Sequence, residues 1–73
     1  MTLTIKYDEI NEYSVSLENI YDTQGYDIIK VSICDKRGGM WRTDKSLTYP
    51  NTKDGMRKAK ATYNRYLSKA KKG

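Results

Sequence analysis

The first half of the chain alternates apolar and polar residues with the period of two that is typical of a half-buried β-strand. Together with a weaker pattern further on, the alternation predicts four strands, at about residues 2–7, 13–21, 26–34 and 40–48. The third strand has the clearest pattern, because Ile29, Val31 and Ile33 share one face and polar residues occupy the other. Short polar or glycine-containing segments between the strands indicate turns.

After Pro50 the apolar period changes to that of a helix. A stripe of residues recurs at spacings of three and four: Met56, Ala59, Tyr63, Tyr66 and Ala70. This pattern predicts an amphipathic helix over about residues 52–71. Asn51 or Thr52 is the expected N-cap, since both side chains can accept a hydrogen bond from the first turn.

These elements predict an α+β fold in one small domain spanning residues 1–73: a four-stranded antiparallel meander with the C-terminal helix on one face. The face under the helix is expected to carry Leu3, Ile5, Val15, Leu17, Ile29, Val31 and Ile33. The open face is expected to carry Thr2, Thr4, Lys6, Ser14, Ser16, Glu18, Lys30, Ser32, Arg42 and Asp44.

The composition removes most common catalytic sites. The chain has one cysteine, Cys34, and no histidine, which excludes an intrachain disulfide, a Cys/His zinc site and His-assisted nucleophiles. We therefore predict a protein that is not an enzyme and has no metal, cofactor or small-molecule substrate. The segment MTLTIKYDEI lacks signal-peptide character and no long apolar run follows, so a cytoplasmic protein without a membrane segment is expected.

Charge is divided along the chain, and this division points to an acidic partner. Residues 1–29 hold six acids against Lys6 alone, whereas residues 30–73 hold thirteen cations against three acids. The whole chain has a formal net charge of +5. Nucleic acid is the first partner that such a basic half suggests, and DNA is favoured over RNA.

The predicted helix has almost no acids to balance its cations. Five cations lie away from the apolar stripe, and two more flank it: Arg57, Lys58, Arg65, Lys69 and Lys72, then Lys60 and Lys71. A solvated helix usually mixes Glu with Lys, because such pairs stabilise it. A phosphate-binding surface is one interpretation. An ordinary solvated surface is the other, since cations in the last turn also favour the helix dipole.

The segment DKRGGMWRTDKS, residues 35–46, is a second candidate contact. Lys36 to Gly39 predict a tight turn with glycines at positive φ. Arg37 and Arg42 flank this turn, and guanidinium groups pair with phosphate or with a guanine edge.

Trp41 has two interpretations. It shares strand parity with Leu47, which places it on the core face under the helix. The alternative is an exposed platform on which a base could stack. The same parity turns Lys45 inward, so a β-bulge near residues 43–45 or an early strand end is expected.

Residues 26–70, three antiparallel strands followed by one amphipathic helix, are similar in topology to the DNA-binding modules of plant ethylene-response factors and of some integrase arm-binding domains. In those modules the sheet enters the major groove and the helix supports it from behind. The resemblance implies that Lys30 and Arg42 would read the DNA.

The sequence thus predicts a small nucleic-acid-binding module, monomeric or homodimeric. The predicted contact residues are Lys36, Arg37, Arg42, Arg57, Lys58, Arg65, Lys69 and Lys72. The alternative is a small protein-binding or inhibitory module of phage or plasmid type. It would dock through its basic helix or through an acidic surface made of Asp8, Glu9, Glu12, Glu18 and Asp22.

Overall fold

The computed structural model describes residues 1–72, without the side chain of Arg37. Its elements are β1 (Thr2–Ile10), β2 (Tyr13–Tyr21), β3 (Asp27–Asp35), a 3₁₀ turn (Arg37–Gly39), β4 (Arg42–Pro50) and α1 (Lys53–Lys71). The four strands form one antiparallel sheet in the order β1-β2-β3-β4. The predicted α+β fold, a meander with one C-terminal helix against the sheet, is therefore confirmed.

Three strands differ from their predicted bounds, and in β3 each bound is shifted by only one residue. β1 continues to Ile10, because the turn before β2 uses only Asn11 and Glu12, at φ of 51° and 65°. Two successive residues at positive φ are the geometry of a type I′ hairpin turn. β4 covers residues 42–50 rather than 40–48, since the 3₁₀ turn lengthens the loop before it.

The core lies between α1 and the two central strands. The buried strand residues are Tyr13, Val15 and Leu17 of β2 and Ile29, Val31 and Ile33 of β3. The helix adds Ala59, Tyr63, Tyr66 and Ala70, as its apolar spacing predicts. Tyrosine replaces phenylalanine in this core, and its hydroxyl groups need polar partners. The Tyr49 hydroxyl, for example, lies 2.5 Å from Thr62 Oγ1.

A side chain caps each end of α1. Thr52 Oγ1 accepts a hydrogen bond from the Gly55 backbone N–H at 3.0 Å, which confirms Thr52 as the N-cap. At the other end Asn11 Nδ2 donates to the carbonyl oxygens of Ala70 and Lys71, each at 3.3 Å. The turn between the first two strands therefore holds the last turn of the helix.

A β-bulge interrupts the edge strand β1. Pairing steps from Thr4 opposite Glu18 to Lys6 opposite Leu17, which leaves Ile5 as an extra residue. Because cross-strand partners point to the same face and Leu17 is buried under the helix, Lys6 also lies on the helix side. The prediction that Lys6 lies on the open face is wrong, since the bulge reverses the alternation.

A second bulge interrupts the other edge strand, β4, where one was expected. Lys45 lies opposite Ile33 on the helix side, and Asp44 is the extra residue. Beyond the bulge, Arg42 lies opposite Asp35, whose β2 partner is the buried Tyr13. The predictions that Arg42 and Asp44 lie on the open face are therefore wrong for the same reason as for Lys6.

Three predicted core residues are partly exposed. Trp41 precedes β4 and is 43% exposed, so its predicted place in the core is wrong. Leu3 and Ile5, in β1, are 57% and 42% exposed. The physical reason is coverage: a single helix is about 10 Å wide and covers the central strands better than the edges and loops of a four-stranded sheet.

Candidate nucleic-acid interface

The outer half of α1 presents the densest positive charge in the chain. Residues 53–72 contain eight cations and a single acid, Asp54. All eight cations are exposed. With 100° between successive residues, seven of them fall into two rows on the flanks of the helix, and Arg57 lies between the rows. The row toward β4 contains Lys58, Arg65, Lys69 and Lys72, and the row toward β1 contains Lys53, Lys60 and Lys71.

The groove between α1 and β4 has cations on both walls. We call it the β4-side groove, and it is lined by Lys45, Ser46, Leu47, Arg65, Tyr66 and Lys69. Arg65 Nη2 donates a hydrogen bond to Thr62 Oγ1 at 3.1 Å, which holds the guanidinium group of Arg65 close to the helix. Lys45 approaches from the strand because the bulge at Asp44 keeps it on the helix side. Three cations thus surround one concave surface.

A second groove lies on the opposite flank of the helix. This β1-side groove is lined by Ile5, Lys6, Leu17, Lys60, Tyr63 and Asn64. The Lys6 ammonium lies 5.1 Å from the centre of the Tyr63 ring, within the range of a cation–π contact. Each groove therefore receives one lysine from an edge-strand bulge and at least one cation from the helix.

Tyr63 supports the β1-side groove from below. Its buried hydroxyl donates a hydrogen bond to Asp8 Oδ2. Burial raises the pKa of the Tyr63 phenol well above its usual value, and the hydrogen bond to the Asp8 carboxylate raises that pKa further. The ring and its hydroxyl therefore have a structural role, as a core tyrosine with a polar rim.

The cations of the first helical turns have a local partner. Asp54 forms ion pairs with Arg57 and with Lys58, the latter at 3.3 Å. Hydrogen bonds from Arg57 and then Lys58 lower the pKa of the Asp54 carboxyl. These exposed pairs reduce the net charge at this end, so Arg57 and Lys58 are weaker evidence for a partner than the sequence alone indicates.

The hairpin between β3 and β4 lies at the C-terminal end of α1. The Lys36 N–H donates to the Glu12 carbonyl at 2.9 Å, and the neighbouring Asn11 caps the helix. Gly38 and Gly39 have φ of 78° and 84°, as predicted. The Lys36 ammonium lies 5.8 Å from the centre of the Trp41 ring. Trp41 is thus exposed beside a cation, while the Arg37 side chain lies outside the described residues.

The open face of the sheet is mostly uncharged. Its central rows carry hydroxyl groups, including the Ser16–Ser32 pair at an Oγ–Oγ distance of 2.9 Å. Within the described strands, Lys30 is the cation of the open face, and Glu18 is the cross-strand partner of Lys30. Lys30 and Arg42 point to opposite sides of the sheet. A sheet-reading mode that uses both of them, which the resemblance implies, does not fit this arrangement.

The acids of the N-terminal half do not form one surface. Asp8 faces the helix and accepts from Tyr63. Asp22 accepts backbone hydrogen bonds at 2.8 and 2.9 Å in the turn after β2, whereas Glu12 lies in the turn before β2. β2 is nine residues long, so these two turns are separated by about 30 Å. The acidic docking surface considered above is therefore dispersed.

The structure brings together only part of the predicted site. Arg65 and Lys69 line one groove, and Lys36 and Arg42 lie near the C-terminal end of the helix. Arg57 lies about 20 Å from that end along the helix axis. The predicted contact residues omitted three groove cations, Lys6, Lys45 and Lys60, although the sequence placed Lys60 beside the apolar stripe of the helix. The inward parity of Lys45 was the available signal. For Lys6, the bulge that turns it inward has no signal in the sequence.

Comparisons of the chain with protein-family models, curated proteins and solved structures gave no match. In the part of the chain that the structure describes, no helix has both the length and the apolar character needed to cross a membrane.

Proposed function

We propose that this protein is a non-enzymatic nucleic-acid-binding module that contacts phosphates through α1 and the two grooves beside it. One observation carries the proposal. Both grooves are lined by cations, and in each of them an edge-strand bulge adds a lysine to those of the helix. A nucleic-acid backbone offers a regular row of negative charges that such a surface can neutralise.

The contact surface is larger than the helix alone. The hairpin cations extend it at the C-terminal end of α1, next to the exposed ring of Trp41. The proposed contact residues are Lys6, Lys36, Arg37, Arg42, Lys45, Arg57, Lys58, Lys60, Arg65, Lys69 and Lys72. DNA is the favoured target.

An acidic protein surface is the competing partner for the same cations. The dispersed acids of the N-terminal half weaken the version in which those acids dock on a basic protein. The alternative in which the basic helix docks on an acidic protein uses the same cations as nucleic-acid binding. The competition experiment below distinguishes the two.

The test is a titration of the protein into labelled duplex DNA, single-stranded DNA and RNA of random sequence. Fluorescence anisotropy is followed across a salt series. If about four to six phosphates are neutralised, the slope of log affinity against log salt should be about −4 to −5 for duplex DNA. Trp41 emission, recorded in parallel, reports whether the hairpin lies at the contact.

A pair of variants with the same charge change locates the site. Arg65→Gln removes a cation from the β4-side groove, and Lys30→Gln removes one from the open face. The first should weaken binding and flatten the salt slope by about one, and the second should change neither. The double variant Arg65→Glu, Lys69→Glu should abolish binding with its circular dichroism unchanged. Equal effects of Arg65→Gln and Lys30→Gln would contradict the proposed site.

Polyglutamate at matched charge serves as a competitor. Nucleic acid that stays bound in its presence supports the proposal. Displacement as effective as that by unlabelled DNA would favour an acidic protein partner. Absence of binding to any nucleic acid at low salt would overturn the proposal.

A further inference from the structure

The outermost ridge of α1 differs from its two flanks. With the helical period, Ala61 and Ser68 lie opposite the buried stripe, with Arg57 and Asn64 next to them on the β1 side and Arg65 and Lys72 on the β4 side. All six are exposed. Within residues 1–72, the hydrogen bonds of the structure use neither the Asn64 amide nor the Ser68 hydroxyl. The helix therefore presents an outermost line of small, uncharged side chains, Ala61 and Ser68, with cations on either side of it.

This arrangement matches the cross-section of a DNA groove. An α-helix with its side chains is about 10–12 Å across, and the major groove of B-DNA is about 12 Å wide and 8.5 Å deep. A helix seated in that groove has base edges in front of its outer ridge and a phosphate strand along each flank. The two cation rows and the two basic grooves lie where those strands would run.

The edge-strand lysines fit the same placement. Lys6 and Lys45 lie on the helix side of the sheet, one on each side of α1, and both are exposed. They would meet the outer sides of the two phosphate strands after the helix has entered.

We infer that α1 is a recognition helix that binds double-stranded DNA in the major groove, with the ridge 57–68 facing the bases. The inference rests on the proposed function and adds the form of nucleic acid and the reading residues to it. Asn64 has the donor and acceptor that pair with adenine, and Ala61 can contact the methyl group of thymine. Arg57 has the fork that pairs with guanine, for which it must leave its exposed ion pair with Asp54. Ser68 can pair with several bases and adds little discrimination.

Two substitutions of the same kind test the placement. Ala61→Tyr puts a bulky uncharged ring on the ridge, and Thr48→Tyr puts the same ring on the open face of the sheet. Ala61→Tyr should weaken the affinity for duplex DNA about tenfold or more. The same variant should change the affinity for single-stranded DNA by no more than about twofold. Thr48→Tyr should change the affinity for duplex DNA by no more than about twofold. Circular dichroism and urea unfolding verify that both variants fold.

The choice of nucleic acid gives a second measurement that needs no variant. Double-stranded RNA has the same charge but a deep, narrow major groove that side chains cannot read. It should therefore bind about tenfold more weakly than DNA of the same sequence. Duplex DNA whose cytosines carry a bulky 5-glucosyloxymethyl group, which fills the major groove, should bind as weakly as RNA. A minor-groove ligand such as netropsin should not compete.

The outcomes separate this inference from the function on which it rests. Equal binding of duplex DNA, glucosylated DNA and double-stranded RNA would overturn major-groove recognition and leave phosphate binding in place. An Ala61→Tyr variant that binds duplex DNA as the wild type does would overturn it as well. Sites selected from random duplexes should lose an adenine preference in the Asn64→Ala variant. No binding to any nucleic acid would overturn both proposals.

Discussion

Asp44 Oδ2 lies 2.9 Å from Lys69 Nζ, so the extra residue of the β4 bulge neutralises a cation of the proposed interface. The acid and the lysine are 25 positions apart in the chain, and the sequence of the helix alone gives no sign of the pair. Because the ion pair is partly exposed, it is modest in energy and sensitive to salt. A phosphate that approaches Lys69 must compete with this carboxylate.

Replacing Asp44 with asparagine should therefore tighten nucleic-acid binding. The Asp44→Asn variant keeps the size of the side chain and removes the negative charge next to Lys69. We expect an affinity increase of about two- to threefold at low salt, which fades as salt screens the charges. Anisotropy titrations measure it, and Glu18→Gln on the open face is the control for a general gain in net charge. An equal gain from both variants would show that Asp44 has no specific effect.

The two edge strands carry the devices that prevent sheets from pairing with one another. Each has a bulge followed by a lysine on the helix-facing side, Lys6 in β1 and Lys45 in β4. Inward-pointing lysines and bulges are known to block edge-to-edge association. Of the two predicted states, monomer or homodimer, these features favour the monomer.

The double variant Lys6→Val, Lys45→Val should consequently self-associate. Sedimentation velocity should show a concentration-dependent dimer or larger species, while the wild type stays monomeric. Lys30→Val adds a comparable apolar side chain to a central strand whose backbone is already paired, and it should remain monomeric. Self-association of the wild type at the same concentrations would contradict this explanation of the edges.

The central part of the fold could be predicted because each of its elements has a regular apolar spacing, of two in the strands and of three and four in the helix. Ile29, Val31 and Ile33 alternate without interruption, and Tyr63 and Tyr66 fall on a regular helical stripe. Burial on one side follows directly from such spacing. The same spacing predicted that the helix cations face outward.

The inward parity of Lys45 predicted the β4 bulge, but the β1 edge could not be predicted, since a bulge depends on the register between strands. One extra residue at Ile5 moves Lys6 to the helix side, and the sequence TLTIKY shows only an unbroken alternation. The placement of Trp41 failed for a related reason. Trp41 follows a loop with two glycines at positive φ. The conformation of this loop determines where β4 begins, and the parity of nearby residues does not.

The contact between Asn11 and the end of α1 should contribute measurably to stability. Asn11→Gly retains a residue that tolerates positive φ and loses the two hydrogen bonds to the helix carbonyls. We expect a loss of about 1 kcal/mol in the free energy of unfolding. Asn11→Ala should lose about 1 kcal/mol more, because alanine is strained at positive φ. Urea unfolding measures both variants, and equal values for them would contradict a role for the backbone conformation.

Gly55 should resist replacement by alanine, although it lies in a helix. A Cβ atom at this position would lie 2.0 Å from the carbonyl oxygen of Pro50. In an ordinary exposed helix the change from glycine to alanine stabilises by up to about 1 kcal/mol. Here the overlap should instead destabilise by about 1–3 kcal/mol. The sign of the change in urea unfolding is the test, and a stabilised Gly55→Ala variant would show that the chain entering the helix can move aside.

The buried phenol of Tyr63 makes stability depend on pH in the alkaline range. Its pKa is raised in the folded protein by burial and by the Asp8 carboxylate. The unfolded chain therefore loses this proton at a lower pH, near the ordinary tyrosine pKa of about 10. The stabilising contribution is complete below that pH and decreases above it, because the folded state then binds more protons than the unfolded state.

The Tyr63→Phe variant isolates this contribution, since it removes this one hydroxyl group and keeps every other titratable side chain. The difference in the free energy of unfolding between wild type and variant should be constant below about pH 9 and should then shift against the wild type as the pH rises to about 11. Tyr26→Phe, at an exposed position, is the control for the loss of a tyrosine hydroxyl group. A pH-independent difference for Tyr63→Phe would mean that the phenol ionises as easily in the folded protein as in the unfolded chain.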